Sequence, residues 1–536
     1  MSAPHASRPP SLSARIEELA ARTPEAPAFL GAEGVAWAGY AERARRLAGV
    51  LVALGLAPGE RVGVLLPDGP GVHAAFVAGE LAGLVVVGIG PRAGPLEIRH
   101  LLAHTGAAAL VSRARQGELD LVALARELRA QGLPLRHHLV AAGELAPRDE
   151  LRVDGAPAPA PDPAATRAAI AARRLSADDL FLLNSTSGTT GLPKCVMHDQ
   201  ARWFHFHELA VEAGELAASD VFLSVLPAPF GFGIWTSHVT PALLGAPTVL
   251  LSRFSAEDAI AAIERHRVTV LAAVSTQFVM MLNSPALDRH DLSSLRVLFT
   301  GGEAVPEVRA AEFEDRTGAR VLQFYGSNET GALSRTTTRD PRAARLTTAG
   351  RVIPEMQVRL FDEAWRDVTA CGRGIPGCRG PLQSRGYWAD PEANRRLLTP
   401  DGWMLTGDVA TLDVDGYLRV VGRTADFIIR GGKNVSAPAV EGAVATHPAV
   451  ALAAAVAMPD EVFGERVCVY AELRPGAKLG LEELVAHLRA RGVSKESLPE
   501  RLVVVDELPR ASGGKIAKQA LREDIRRRIA EEKARA

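Results

Sequence analysis

The chain has 536 residues, too many for one ordinary hydrophobic core, so two or more domains are expected. Hydrophobic residues make up 47% and charged residues 23%, which suits large buried sheets in a globular protein. Lys plus Arg number 61 against 62 for Asp plus Glu, and that near balance argues against a polyanion such as DNA as the main partner.

The first residues, MSAPHASRPPSLSAR, lack the apolar core of a signal peptide, and no apolar run reaches the roughly 18 residues of a membrane span. A cytoplasmic protein with no membrane or nucleic-acid partner is expected. Helical periodicity begins at Ser11, with Ile16 and Leu19 on one face of SLSARIEELAAR and Ser11 or Ser13 as N-cap. RVGVLL at 61–66 reads as a short apolar strand, GVHAAFVAGELAG at 71–83 as an amphipathic helix, and LVVVGI at 84–89 as another buried strand. VTVLAAV at 268–274, a helix to Leu282 and RVLFTGG at 296–302 repeat the βαβ pattern, which predicts parallel sheets covered by helices. DGAPAPAPDPAA at 154–165 reads as an exposed connector, and DVDG at 413–416 as a hairpin turn. From Ala425 a smaller α+β unit is expected, with strands VALAAAVAMPD and RVCVYAEL, helix LEELVAHLRAR and a mixed-charge tail helix. The four cysteines (Cys195, Cys371, Cys378, Cys468) are too scattered for a disulfide framework and have no zinc-like His/Cys spacing, so all four read as reduced thiols.

Residues 185–196, STSGTTGLPKCV, describe a site for the phosphates of a nucleotide. Thr186, Ser187, Thr189 and Thr190 offer hydroxyls, Gly188 and Gly191 let backbone N–H groups approach an anion, and Lys194 adds a point charge. This is not the GxxxxGKS/T loop, because Pro193 stands where that motif has its second glycine.

The string resembles the phosphate loop of the AMP-forming adenylating superfamily of acyl- and aryl-CoA ligases, stand-alone adenylation enzymes and luciferases. Further stretches resemble that family in its order: GERVGVLLPDGP at 59–70, FTGGEAVP at 299–306, FYGSNETG at 324–331, RGYW at 385–388, WMLTGDVATLDVDGYLRVVGR at 403–423 and LPRASGGKIAK at 508–518. The resemblance implies an α/β fold. Residues 1–424 would form a large domain of helix-covered, mostly parallel sheets with a β-barrel-like subdomain, and 425–536 a small mobile α+β domain.

It also implies roles. Thr186 to Lys194 would grip the β- and γ-phosphates of ATP, and Glu329 would hold Mg²⁺. Tyr325, with Gly326 beside it, would stack on the adenine, with Gly302, Glu303 and Ala304 as the opposite wall. Asp408 would accept from the ribose hydroxyls and Arg423 would donate to the ribose. Lys515 would be the catalytic cation that bridges carboxylate and α-phosphate oxygens. Gly431 and Gly432 would line the tunnel for the pantetheine of coenzyme A. The sequence departs from the family at Asn328, where a threonine touches the AMP phosphate, at hinge position Ala425, and at Cys195, where glycine is common.

LPAPFGFGIW at 226–235 falls where the family places its carboxylate pocket, with Phe230 as aromatic gate and Trp235, Phe278, Thr300 and Gly301 as wall candidates. That segment offers no acidic partner for an ammonium group, so an apolar aryl, alicyclic or medium-chain acid is favoured over an amino acid. The expected activity is that of an acid–CoA ligase. Its rivals are a stand-alone enzyme that loads a carrier protein in trans and a non-catalytic nucleotide-binding homologue. The identity of the acid and a homodimeric state are left open.

Overall fold

The computed structural model describes residues 8–186, 193–303, 305–423, 426–430, 433–511 and 515–535. Two compact units emerge, Met1–Ala272 with Pro381–Leu397, and Ala273–Gly380 with Leu398–Ala536. The expected boundary at 424/425 falls on two residues outside the described set.

The first unit is built on two sheets. In one, strands His137–Ala141, Ala109–Ser112, Arg61–Leu65, Val85–Gly88 and Leu180–Ser185 lie side by side and parallel. Antiparallel strands Leu151–Val153 and Cys195–Asp199 extend its two ends. In the other, Thr248–Leu250 pairs in parallel with both Pro27–Gly31 and Phe222–Ser224, and the latter with Val270–Ala272. The N-terminal helix is Leu12–Arg22, capped by the Ser11 side chain, which accepts from the Ala14 N–H. The helix expected to be amphipathic, Pro70–Leu81, is buried at all twelve positions. It lies so close to its sheet that a Cβ on Gly79 would come within 2.5 Å of Val86 Cγ2, and helix Trp37–Ala53 packs on it as well. A helix enclosed on all sides has no polar stripe to show.

That helix carries His73, whose ring stacks on His238 from a π-helical turn at Ile234–Val239. The two Nδ1 atoms are 3.1 Å apart, and the Tyr40 hydroxyl is 3.3 Å from His238 Nδ1. Burial drives both imidazole pKa values down, that of His238 to about 3.

In the second unit, Val297–Gly301 runs parallel to Arg320–Ser327, which turns back antiparallel into Gly331–Arg335. A five-stranded antiparallel sheet follows, with Gln357–Phe361, Arg373–Arg379, Met404–Leu405, Asp408–Leu412 and Leu418–Arg423. Its last hairpin turns at the expected DVDG, where Gly416 has φ +83° and donates to Asp413 O. The C-terminal part is an α+β layer whose strand Gly464–Leu473 alternates strictly. Val467, Val469 and Ala471 face helices Ala437–Val444 and Leu481–Ala490, while Cys468 and Tyr470 face Leu521 and Ile525 of the tail helix Lys518–Arg535. The mixed-charge tail is therefore docked on one side as well as solvated on the other. All four cysteines are free thiols, only Cys371 being exposed. None of the described helices is long and apolar enough to cross a membrane.

Candidate active site

Four of the singled-out side chains, Lys515, Tyr325, Asp408 and Arg423, come together in the second unit. Strand Val297–Gly301 ends in the Gly301–Gly302 turn, where the chain passes so close to the next strand that a Cβ on Gly301 would lie 2.3 Å from Phe324 O. Gly302 has φ +78°, and its carbonyl accepts from Lys515 Nζ at 2.6 Å. A Cβ here would stand 3.0 Å from that nitrogen and crowd the contact, and the positive φ itself favours glycine. Glu303 is turned away to accept from the Thr276 N–H at 2.8 Å and its hydroxyl at 3.1 Å.

Tyr325 donates its hydroxyl proton to Asp408 Oδ2 at 2.8 Å, and Arg423 Nε donates to Asp408 Oδ1 at 3.1 Å. The register that pairs Asp408 with Arg423 across one hairpin makes this ion pair a local product of the antiparallel ladder. Burial raises the Asp408 carboxyl above its ordinary value, against the pull of Arg423 and of the Tyr325 hydrogen bond. Burial likewise lifts the Tyr325 phenol well above its usual range, and Asp408 adds to it. Desolvation lowers the Lys515 ammonium, with repulsion from Arg423 next, while Glu303, Asp408 and Glu329 pull the other way.

Asn328 and Glu329 sit on the turn between strands Arg320–Ser327 and Gly331–Arg335. Hydroxyls lock this turn: the Ser327 N–H donates to Thr330 Oγ1 at 3.0 Å, the Glu329 N–H to Ser327 Oγ at 3.2 Å, and Thr330 Oγ1 to Gly331 O at 2.9 Å. A Cβ on Gly326 would lie 1.8 Å from Gly331 O, so only glycine fits. Thr300 is fully buried, and its hydroxyl has no hydrogen-bond partner among the described residues. Phe278 is fully buried, edge-on to Phe313 at 5.6 Å, in the position of a core residue.

In the first unit, the neck of the 186–194 loop is closed by the Thr186 N–H, which donates to Lys194 O at 2.9 Å. Lys194 Nζ lies 4.9 Å from the centroid of the Tyr387 ring, a cation–π contact. Ser187, Gly188, Thr189, Thr190 and Gly191 lie outside the described residues, as do Ala304, Ala425, Gly431 and Gly432. Phe230 lies against Gly90, where a Cβ would meet its Cζ at 2.8 Å. Trp235 stacks with Phe232 at 5.3 Å and tilts against Phe206 at 5.5 Å. Cys195 is buried, and burial pushes its thiol up to about 12, which leaves no reactive thiolate beside the loop. Sequence reasoning did not single out Thr276, Thr406 (3.4 Å from the Tyr325 hydroxyl) or the Tyr387 ring, although the last two stand inside the quoted LTGD and RGYW motifs.

Comparison with known proteins gives the family of the chain. The family profile for AMP-binding enzyme matches residues 16–388, and that for AMP-binding enzyme C-terminal domain matches 439–515. The medium-chain fatty-acid–CoA ligase of Escherichia coli (strain K12) is 36% identical over 363 residues, which is 66% of this chain and 63% of that protein, so the match spans less than two thirds of its length. The salicylyl-CoA synthase / salicylate adenylyltransferase of a Streptomyces species is 34% identical over 488 residues, 90% of this chain and 88% of that protein. Among solved structures, the anthranilate CoA ligase AuaEII in complex with anthranoyl-AMP superposes with a TM-score of 0.83 at 23% identity, covering 98% of this chain and 99% of that one, a likeness of fold. With both profiles matched in order over most of its length, the chain belongs to the AMP-binding enzyme family and is an ATP-dependent, AMP-forming ligase.

Proposed function

We propose that the chain is an acid–CoA ligase that activates an apolar carboxylic acid, an aryl acid first among alicyclic and medium-chain alternatives. The carboxylate oxygen attacks the α-phosphorus of ATP, the new C–O–P bond forms as the bond to the β-phosphate oxygen breaks, and pyrophosphate leaves. The thiol of coenzyme A then attacks the acyl carbonyl, AMP departs, and the thiol proton is released to solvent.

The observation that carries this reading is Lys515, brought from the far end of the chain onto Gly302 O beside the Tyr325–Asp408–Arg423 cluster. Two anions must meet in the first step, and a desolvated ammonium is the group that stabilises charge growing on the phosphorus. Asp408 takes the ribose hydroxyls, Arg423 holds Asp408 and the ribose, and Tyr325 covers the adenine. Glu329 is the carboxylate for Mg²⁺. No group of three His, Cys, Asp or Glu side chains suited to a metal occurs among the described residues, so oxygens of ATP itself would complete the shell. Bound there, the ion offsets phosphate charge.

Residues 1–424 would hold ATP and the acid, and 425–536 would carry Lys515 and, through Gly431 and Gly432, admit the pantetheine. Phe232 stacks on the buried Trp235, and Phe230 stands two residues before Phe232 against Gly90, an aromatic segment suited to a flat acid; the salicylate-activating relative points the same way. That relative is named both CoA synthase and adenylyltransferase, and a second reading of this chain has a carrier protein accept the acyl group in trans.

The test is product analysis with ATP, Mg²⁺, coenzyme A and a panel of benzoic, salicylic, cyclohexanecarboxylic and fatty acids. Acyl-CoA with stoichiometric AMP is expected from the aryl set. Acyl-AMP that accumulates while coenzyme A is ignored would favour the carrier-protein reading, and ADP as product would overturn both.

A further inference from the structure

Three consecutive backbone carbonyls at the exit of the 186–194 loop each accept a hydrogen bond from a different part of the first unit. Pro193 O is 2.9 Å from His100 Nε2, Lys194 O takes the Thr186 N–H at 2.9 Å, and Cys195 O takes the Trp388 N–H at 2.8 Å. The last two are backbone pairings that a hairpin and the neighbouring 385–388 segment supply. The first is made by a side chain from helix Pro95–Thr105, 93 residues away in sequence.

A carbonyl only accepts, so His100 Nε2 carries the proton. His104, one turn along the same helix, places its own Nε2 2.9 Å from Trp388 O, and the two rings stack at 5.4 Å with 13° between their planes. The pair thus holds both the loop exit and the RGYW segment that lies against it, where Tyr387 bridges to Val196 and Met197 N donates to Gly386 O. The peptide group between Pro193 and Lys194 is planar, so holding its oxygen sets the plane and with it the direction in which Lys194 leaves the backbone. Lys194 leaves toward the face of Tyr387, the ring carried by the segment that His104 holds.

We infer that His100 is a positioning residue for phosphate binding: its Nε2–H fixes the Pro193–Lys194 peptide and thereby aims the Lys194 ammonium at the β- and γ-phosphates of ATP. This rests on the reading of residues 186–194 as the phosphate loop.

The experiment is calorimetric titration of the full chain with ATP and, separately, with AMP, which lacks the β- and γ-phosphates. Wild type, Lys194→Ala, His100→Phe and His100→Gln are compared. The phenyl ring removes the donor at similar volume, whereas the glutamine amide restores one. His100→Phe is expected to weaken ATP binding roughly five- to tenfold, the loss of about one net hydrogen bond, and to leave AMP binding within about twofold, with His100→Gln recovering most of the loss. If His100→Phe does not fold, His100→Ala is read in the same way. Equal weakening toward both nucleotides, or no recovery by glutamine, would reduce His100 to a structural residue and overturn the inference. Unchanged ATP affinity in His100→Phe while Lys194→Ala weakens it would also overturn it and leave the phosphate loop standing. Should Lys194→Ala bind ATP normally too, the loop assignment fails and the inference with it.

Discussion

Replacing Lys515 by alanine separates the two half-reactions. The side chain is half-buried, it donates to Gly302 O at 2.6 Å, and the ammonium is already destabilised by desolvation and by Arg423. Its loss removes little from the fold, about 1 kcal/mol or less for a single hydrogen bond of this kind, so the melting temperature is expected to stay nearly unchanged. The effect on chemistry is larger, because the cation acts where charge develops. Removal of one preorganised donor at such a position lowers the rate about 10²–10³-fold, or about 2.7–4 kcal/mol. Adenylation is followed as pyrophosphate release in the absence of coenzyme A, and thioester formation as acyl-CoA produced from supplied acyl-AMP. The first should fall by that factor and the second should change less than about threefold. An equal loss in both steps would refute the placement of Lys515 at the phosphorus, and so would a drop in melting temperature large enough to account for the lost activity.

Gly302→Ala puts a Cβ 3.0 Å from Lys515 Nζ and strains a φ of +78°, so adenylation should fall together with about 1–2 kcal/mol of stability in urea titrations. Asp408→Asn should raise the KM for ATP at least about tenfold, and it should abolish the penalty that wild type shows for 2′,3′-dideoxy-ATP; a penalty that survives the substitution would place the ribose elsewhere. His238 is neutral in the folded chain with a pKa near 3, and its ordinary value on unfolding is 6.5. The unfolded chain binds more protons between those values. Stability is therefore complete above about pH 6.5 and declines as the pH falls toward about 3, by about 2 kcal/mol at pH 5 from this group alone. His73 acts in the same direction, and His238→Leu should flatten the slope in urea melts at pH 7.5 and 5.

Much of the site is legible because its chemistry is local. Gly326, Ser327 and Thr330 shape the turn that carries Asn328 and Glu329 from within eight residues of one another, and Asp408 meets Arg423 across a single hairpin marked by DVDG. The helix at Pro70–Leu81 was harder to read, since a segment enclosed by a sheet and helices shows no period of polar residues. His100, His104 and Tyr387 carry no local signal either. An isolated histidine on a helix reads as surface until the carbonyl it meets is known.

By itself the sequence determined the parallel α/β class, the caps and turns, the thiol state and the residue types of a nucleotide site, because these depend on backbone propensity and on side-chain chemistry a few residues apart. Only the tertiary structure decided that Lys515 lies on Gly302, that the 385–388 segment runs beside Cys195–Asp199, that Phe278 belongs to the core, and that His73 and His238 share a buried site. Those outcomes join residues tens to hundreds of positions apart. Strand order and the packing of whole layers choose among many such pairings, each compatible with the same local pattern.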